Sequence, residues 1–438
     1  MKKIIFGTAI IFLFLSCKEN YFDGKFDKLH EIVFNGNELI ETETYYGDDF
    51  GRFYIRELFT ALNGKIYYCA VKYEDLKREF YNSIIGEIDI NGNILWRYDL
   101  KDLYIYGFAE DDKNNVFVYG TTTDWKNSMI GKIETQSIDI IFKSTAISQF
   151  TSLRHIENNT FLFSGLWNVG ENSVNGGIGA LSINQNNVEI QYFAKYRFYS
   201  PYIYTWEKTN NNTFSITLPG TTQNQWGVAK VEWGIGDNDP NSLTWTSDPI
   251  IADYQTNHNL ESSYADDRGK TNVYVKNGND LVVVGYGDNA ENRTYLDVNS
   301  KIPRGIVACL DYQSGAIKWQ RAIPENNSEI DGTKIYQIIM HNNKYYVIGV
   351  YNTYNYKYRS FGCGFIQTIS LSGKLLDCYL FGKDFEYSMF SSATIVGNKL
   401  LIAGLGGQKF SKDNPYNNLF VSYDGYKGWF VSCNINDF

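Results

Sequence analysis

The chain contains few of the residues that most often bind metals or catalyse reactions. Its 438 residues include only 4 histidines and 6 cysteines. The histidines stand far apart, with no pair at i+2 or i+4 spacing, at His30, His155, His258 and His341. No nucleophile elbow, zinc-protease motif or phosphate-binding loop is present. The sequence therefore predicts no catalytic residue, no metal site and no cofactor.

The cysteines also give little basis for disulfide bonds. Five cysteines follow Cys17, and an odd number cannot all pair: Cys69, Cys309, Cys363, Cys378 and Cys433. Cys363 and Cys378 flank a predicted hairpin that turns at Ser372-Gly373. Its register sets them four residues apart, about 13 Å along a strand, too far for a disulfide. With no C-x-x-C spacing, we expect these five to be small buried apolar residues.

Long hydrophobic runs are absent except at the N-terminus. Lys2 and Lys3 precede an apolar run of 12 residues from Ile4 to Leu15. This run is too short to cross roughly 30 Å of hydrocarbon at about 1.5 Å per residue. It has instead the form of the hydrophobic region of a secretory signal.

The end of this run resembles a bacterial lipobox. It reads Phe14-Leu15-Ser16-Cys17, with Phe14 where Leu is usual. The resemblance implies cleavage before Cys17, acylation of that cysteine and attachment to the lipid bilayer. We therefore expect a signal peptide over 1–16, a lipidated tether over 17–28 and a folded domain over 29–438, in the cell envelope at the outer membrane or cell surface. An ordinary cleaved signal with a chance cysteine is the alternative.

Excess positive charge is missing as well. Loss of Lys2 and Lys3 with the signal takes the formal charge from −9 to −11, and no basic run occurs. This balance argues against nucleic acid as a partner. What the chain does contain is aromatic: 35 tyrosines, 28 phenylalanines and 9 tryptophans, with only 7 prolines. That composition indicates a folded, β-rich protein.

The clearest local pattern runs from Ile84 to Asp99, and variants of it recur. It predicts a β-hairpin with a type I′ turn at Asn91-Gly92, since both central positions of that turn need φ > 0. Along the chain, an alternating apolar strand ending at or near a small residue is followed by a small-x-aliphatic-polar motif. The first feature occurs at Ile66–Ala70, Val116–Gly120, Phe161–Gly165, Phe214–Gly220, Leu281–Gly285, Tyr345–Gly349 and Leu400–Gly404.

These recurrences define seven modules. They start near residues 54, 101, 149, 199, 256, 328 and 385 and are 47 to 72 residues long. No segment of 12 or more residues has a helical apolar period. This period predicts an all-β β-propeller of seven four-stranded blades, with six or eight blades as alternatives. A two-sheet sandwich explains the alternation but not the period.

Two modules also resemble the repeat of quinoprotein-like (PQQ-repeat) propellers. Residues 308–319, A-C-L-D-Y-Q-S-G-A-I-K-W, are similar to A-x-D-x-x-T-G-x-x-x-W, and Ile88–Trp96 is a second copy. The resemblance implies that Trp96 and Trp319 are buried between blades. Quinoprotein dehydrogenases also carry adjacent cysteines over their cofactor. This chain has no adjacent pair, so pyrroloquinoline quinone is not implied.

Two further segments bear on ring closure and on calcium. Residues 30–44 have a strand–turn–strand pattern around Asn35-Gly36 and could supply outer strands to the last blade; residues 418–434 could hold two strands there instead. Asp111–Asn115 and Asp237–Asp239 are rich in oxygen ligands. Neither continues to the glycine and distal glutamate of an EF-hand loop, so both are predicted to be solvated turns.

Aromatic residues mark the predicted linkers between the second and third strands of the blades. In a propeller these linkers project from one face of the ring. The candidate ligand-binding residues are Trp125, Trp167, Trp226, Tyr354 and Tyr356. Exposed aromatic rings beside amides suit sugar rings or extended peptides. The alternative is that the rings pack against their own loops.

The sequence favours an anchored binding module whose ligand is a glycan, a peptide or an envelope protein. One alternative is a carbohydrate-active hydrolase or lyase, because catalytic carboxylates would meet only in three dimensions. The other is a scaffold for envelope assembly.

Overall fold

The protein is almost entirely β-structure. The structure, a computed structural model, describes residues 28–32, 52–73, 81–168, 174–196, 203–210, 212–222, 225–236, 242–248, 250, 260–262, 273–289, 304–323, 331–355, 359–381, 388–406 and 427–438. These ranges contain 29 strands and one short 3-10 helix, Ile435–Asp437. No helix in them is long and apolar enough to cross a membrane.

The strands form seven sheets, the blades, whose strands are antiparallel except where β1 joins blade 6. Blade 1 comprises β2 (Arg52–Thr60), β3 (Ile66–Tyr73), β4 (Tyr81–Ile88) and β5 (Ile94–Leu100). Blade 2 comprises β6 (Leu103–Glu110), β7 (Val116–Thr122), β8 (Ser128–Ile133) and β9 (Ile138–Ser144). Blade 3 comprises β10 (Gln149–Glu157), β11 (Thr160–Asn168), β12 (Val174–Asn184) and β13 (Asn187–Tyr196). Blade 4 comprises β14 (Thr205–Asn210), β15 (Thr213–Thr222), β16 (Gln225–Gly234) and β17 (Ser242–Thr246).

The last three blades depart slightly from this plan. Blade 5 comprises β18 (Leu260–Ser262) and β19 (Tyr274–Asn277), which both pair with β20 (Asp280–Asn289), then β21 (Arg304–Asp311) and β22 (Ile317–Ile323). Blade 6 comprises β23 (Asp331–His341), β24 (Lys344–Asn355), β25 (Arg359–Ser370), β26 (Leu375–Phe381) and an added β1 (Lys28–Ile32). Blade 7 has three strands among the described residues: β27 (Ser388–Val396), β28 (Lys399–Gly406) and β29 (Lys427–Asn434).

The seven blades close into a ring through seven apolar clusters. Each pair of neighbouring blades shares one of these clusters, including blades 7 and 1. Blades 6 and 7 share a further, smaller cluster of Tyr336, Val350 and Met389. Strand β20 shows why apolar residues alternate along each strand and why the blade-length repeat recurs along the chain. Leu281 and Val283 face the cluster with blade 4, whereas Val282 and Val284 face the cluster with blade 6. A blade therefore buries both faces only when it has a neighbour on each side, which confirms the predicted seven-bladed β-propeller.

The ring has two distinct ends. We call the end with the first-to-second and third-to-fourth strand turns the turn end. We call the opposite end, with the second-to-third strand connections and the links between blades, the loop end. Because every blade runs in the same order, equivalent connections in all blades lie at the same end.

The glycines that mark the second strands have a steric cause. The first strands of blades 1, 2, 3, 6 and 7 each shift register at a bulge. In blade 2 the bulge lies between Ile105 and Gly107, and a Cβ at Gly120 would overlap the carbonyl oxygen of Tyr104. Gly404 meets the carbonyl of Met389 in the same way. The recurring glycine therefore admits a bulged inner strand.

The predicted type I′ turn of blade 1 is wrong. Gly92 has φ +85°, but Asn91 is not among the residues with positive φ. The amide of Gly92 donates to the carbonyl of Asp89 at 2.9 Å, and the Asp89 carboxylate accepts the amides of Asn91 and Asn93, each at 2.8 Å. The carboxylate thus stabilises a longer loop with a single left-handed residue.

The two repeat tryptophans lie between blades but are only half-buried. Trp319 packs on Gly373, which lies in the turn between β25 and β26 of the next blade. A Cβ at Gly373 would lie 2.5 Å from the indole. Trp96 packs on the cluster shared by blades 1 and 2, and its Nε1–H donates to Glu87 at 2.9 Å. The predicted burial between blades is therefore only partial, because the fourth strand is the outermost strand of each blade and one edge of each indole stays in solvent.

The N-terminal strand does not add to the last blade. Strand β1 pairs in parallel with β26 of blade 6, with His30 opposite Tyr379. The alternative in which residues 30–44 supply outer strands to the last blade is therefore wrong for β1, and Asn35-Gly36 lies outside the described residues. Blades 7 and 1 meet instead through packing and side-chain hydrogen bonds. The Leu58 amide donates to Ser392 Oγ at 2.9 Å, and the Thr60 and Thr394 hydroxyls lie 2.6 Å apart.

The cysteine predictions agree with the strand register. Cys378 lies opposite Gln367, as expected, so it is not across from Cys363. Cys69, Cys309 and Cys378 are fully buried and free of disulfides, and burial raises the pKa of each thiol. These three behave as small apolar core residues, whereas Cys433 is only partly buried and the side chain of Cys363 lies outside the described residues.

Candidate functional site

The predicted aromatic positions fall at one end of the ring. Trp125 lies in the turn between β7 and β8, and Trp167, Trp226 and Tyr354 lie at the loop ends of β11, β16 and β24. The backbone therefore brings four of the five positions to the loop end, in blades 2, 3, 4 and 6. Tyr356 lies outside the described residues, as do the side chains of Trp167, Trp226 and Tyr354.

Trp125 occupies an unusual backbone position. Its φ is +59°, a left-handed conformation that costs a large side chain roughly 1–2 kcal/mol. A closed network of hydrogen bonds holds it there. The Trp125 amide donates to the Thr122 carbonyl at 2.9 Å, the Thr122 amide donates to the Asn127 carbonyl at 2.8 Å, and the Thr122 hydroxyl donates to Asp124 at 2.5 Å. The turn thus fixes the indole at the loop end.

The indole of Trp125 lies above a buried aromatic and cationic cluster. Its ring is half-buried and packs on Tyr104, with ring centroids 5.5 Å apart. The Arg56 guanidinium donates to the Tyr104 hydroxyl at 2.6 Å and lies 5.2 and 5.3 Å from the ring centres of Tyr104 and Tyr106. The Tyr106 hydroxyl donates to Gln149 Oε1 at 3.0 Å. We call Trp125, Tyr104, Arg56, Tyr106 and Gln149 the loop-end cluster.

The loop-end cluster joins the inner strands of three blades. Arg56 is the bulged residue of β2 and is 1% exposed, and Tyr106 is the bulged residue of β6 and equally buried. Burying a guanidinium costs free energy unless its N–H groups have partners. Here the Tyr104 hydroxyl accepts one hydrogen bond, and the rings of Tyr104 and Tyr106 stabilise the positive charge. The cluster is therefore a rigid support for the half-exposed Trp125 ring.

Two ionisable groups near Arg56, those of Glu57 and Tyr119, are shielded from solvent. Glu57 follows Arg56 on β2 and is 2% exposed. Burial raises the pKa of Tyr119, which lies near Arg56, Glu57 and Arg154, so its phenol is neutral at physiological pH. Glu57 is therefore a buried carboxylate, whereas Glu207 on the first strand of blade 4 is partly exposed and pairs with Lys276.

The carboxylates that do converge lie at the turn end. In blade 5, Lys318 Nζ is 2.6 Å from Asp280 and 3.2 Å from Asp311. The amide of Ser314 donates to Asp311 at 2.9 Å, which lowers the pKa of that carboxyl to about 2. Asp111 likewise accepts the amides of Lys113 and Asn115, as the predicted turn requires. These groups build turns.

No group of three or more histidine, cysteine, aspartate or glutamate side chains in the described ranges could hold a metal ion. Asp237–Asp239 and His258 lie outside those ranges. His155 shares a hydrogen bond through Nε2 with the Asn158 carbonyl at 2.9 Å and packs on Phe161. That contact belongs to the turn after β10.

Sequence reasoning missed Arg56, the centre of the loop-end cluster. The only local signal is a charged pair, Arg56-Glu57, inside an otherwise apolar strand. Nothing in the linear sequence relates Arg56 to Tyr104, 48 residues later, because that contact depends on the bulge and on blade stacking.

No protein-family model matches the sequence, and no curated protein matches it. Solved structures with a similar backbone include hydrazine synthase of Kuenenia stuttgartiensis, at TM-score 0.48 and 10% identity over 82% of this chain and 95% of that chain. A protein from Lactobacillus plantarum has TM-score 0.41 and 9% identity over 82% and 92% of the two chains. The polysaccharide lyase Uly1 has TM-score 0.45 and 10% identity over 94% and 97%. Similarity at these levels says nothing about what this chain binds.

Proposed function

We propose that the protein is a lipid-anchored β-propeller of the cell envelope that binds a glycan or an extended peptide at its loop end. The observation that carries the proposal is Trp125, held at φ +59° by its turn and supported by the buried Tyr104–Arg56 pair. Strain of this kind persists only where the surroundings fix it, and it concentrates at ligand sites.

The chemistry of the loop end suits binding without catalysis. A half-exposed indole can stack on a sugar ring or an apolar side chain and contribute on the order of 1–3 kcal/mol. Two or three aromatic rings engaged together would give micromolar affinity. Trp167, Trp226 and Tyr354 are further contacts in this proposal, because their backbone positions share the loop end with Trp125. Tyr356, predicted from the sequence, is the fourth.

The proposal is tested on the lipid-free mature chain, which retains every described strand. Glycan and peptide arrays would identify the ligand, and Trp125→Ala should then weaken binding about tenfold or more while the fold is kept. Leu62→Ala is the control, because Leu62 is an exposed apolar residue in the first turn of blade 1, at the opposite end of the ring. Equal binding by the parent and Trp125→Ala would remove the loop end as the site. Cleaved glycan products would favour the hydrolase or lyase alternative.

Anchoring is tested separately. Cys17 ends the lipobox-like segment, so Cys17→Ser should abolish labelling of the protein by an alkyne fatty acid in cells. Equal labelling of the variant and the parent would contradict lipidation at this residue.

A further inference from the structure

The direction of β1 fixes where the N-terminal tether leaves the ring. Strand β1 is parallel to β26, with Lys28 opposite Asp377 and Ile32 opposite Phe381. Strand β26 is a fourth strand and runs from the turn end to the loop end. Lys28, the first residue of β1, therefore lies nearer the turn end than Ile32 does.

The tether is short relative to the ring. Eleven residue steps separate Cys17 from Lys28. A chain of that length cannot span more than about 40 Å. A seven-residue strand such as β26 is itself about 23 Å long. Because β1 begins near the turn end of β26, an anchor at Cys17 lies beside the turn end unless the tether runs back along blade 6 toward the loop end.

Exposed leucines lie at the same end of the ring. Leu62, in the first turn of blade 1, is 77% exposed. Leu95 and Leu243 are the second residues of the fourth strands β5 and β17, and they are 56% and 52% exposed. Three of the four large exposed apolar side chains among the described residues thus lie at the turn end. The leucines lie on blades 1 and 4 and the tether joins blade 6, so these features are spread around the ring.

We propose that the turn end faces the lipid bilayer and that the loop end, with the loop-end cluster, points away from it. The inference rests on the proposed acylation of Cys17. Single exposed leucines are common and would not bind a bilayer by themselves. On a molecule already held within reach of the headgroups, they favour the orientation in which they enter the interface.

Two reporters in blade 1 test this orientation on the full-length lipidated protein. Asn63→Cys places a fluorophore at the turn end, and Lys101→Cys places one at the loop end; both residues are exposed. Cys363 and Cys433 are replaced by serine in both, and the thiols of Cys69, Cys309 and Cys378 are buried. The protein is bound to phosphatidylcholine vesicles that carry a nitroxide on the headgroup. We expect quenching at Asn63→Cys to exceed quenching at Lys101→Cys at least threefold.

The controls separate the anchor from the orientation. Cys17→Ser should not float with the vesicles. If the parent does not float, anchoring and orientation both fail. If the parent floats and the reporters are quenched equally, or Lys101→Cys is quenched more, only the orientation is overturned. A Leu62→Ser, Leu95→Ser, Leu243→Ser variant should still float with a smaller quenching ratio, and an unchanged ratio would overturn the part assigned to the leucines.

Discussion

At the scale of single residues, Trp125 combines backbone strain with a half-exposed ring. Its left-handed φ of +59° is ordinary for glycine but unfavourable for a residue with a Cβ. The local hydrogen bonds and the contact with Tyr104 hold it there. The ring and the backbone therefore make opposite contributions to the free energy of unfolding.

Substitution of Trp125 can separate these contributions. Trp125→Gly and Trp125→Ala both remove the ring, but only glycine relieves the strain. We expect Trp125→Gly to be more stable than Trp125→Ala by about 1 kcal/mol in urea unfolding, since the left-handed cost exceeds the extra chain entropy of glycine. Both variants should lose ligand equally. A more stable alanine variant would contradict the strain.

Asp311 makes the stability of the protein depend on pH. Its pKa is about 2 in the folded protein, chiefly through the Ser314 amide, against about 3.9 in an unfolded chain. A depressed carboxyl pKa stabilises the fold above about pH 3.9, and this contribution is lost as the pH falls toward about 2. Asp311→Asn should melt below the parent at pH 6, and the gap should close near pH 2.

The matched control for this prediction is Asp112→Asn, at an exposed aspartate in the first turn of blade 2. Its difference from the parent in melting midpoint should change little over the same pH range. A gap for Asp311→Asn that stays constant from pH 6 to pH 2 would contradict the assignment.

At the scale of strands and turns, the period of the sequence predicted the blades well, and local rules predicted their details less well. Alternation at seven regular intervals has one efficient solution, stacked four-stranded sheets. The Asn91-Gly92 turn was predicted from its two central residues, whereas the carboxylate of Asp89 decides its length. The edge chosen by β1 is not predictable locally, because seven blades offer similar edges and only the assembled ring distinguishes them.

The contact between Trp319 and Gly373 is a link between consecutive blades that can be measured. Gly373 has φ +82°, and a Cβ there would lie 2.5 Å from the indole. Gly373→Ala should cost about 3 kcal/mol from overpacking and backbone strain together. In a Trp319→Ala background the same change should cost only about 1–2 kcal/mol of backbone strain. The double-mutant cycle should therefore show a coupling of at least about 1 kcal/mol.

Gly64 provides a control with the same backbone angle. Its φ is also +82°, and nothing lies within 4 Å of the position that a Cβ would take. Gly64→Ala should cost about 1–2 kcal/mol whether or not Trp319 is present. Equal effects of Trp319→Ala on both glycine substitutions would show that the indole does not link the blades.

At the scale of the whole ring, consecutive blades are held by short connections, such as the two residues between β5 and β6. The described parts of blades 7 and 1 share no strand and meet through one apolar cluster and a few hydroxyl hydrogen bonds. The chain itself spans this seam in another way. Strand β1 is paired to blade 6, and only residues 33–51 separate it from β2 of blade 1.

Strand β1 therefore links blade 6 to blade 1 across the junction between blades 7 and 1. Its pairing holds blade 1 within 19 residues of blade 6, although blade 7 lies between them. A mature chain that begins at residue 33 lacks β1. The ring must then close at a larger cost in loop entropy, because blade 1 is no longer tied to blade 6 by a short connection. We expect amide hydrogen exchange to accelerate several-fold in β2 and β27 and to stay unchanged in β11 and β12 of blade 3. Uniform exchange, or acceleration confined to β26, would mean that β1 covers one strand edge and does not hold the ring closed.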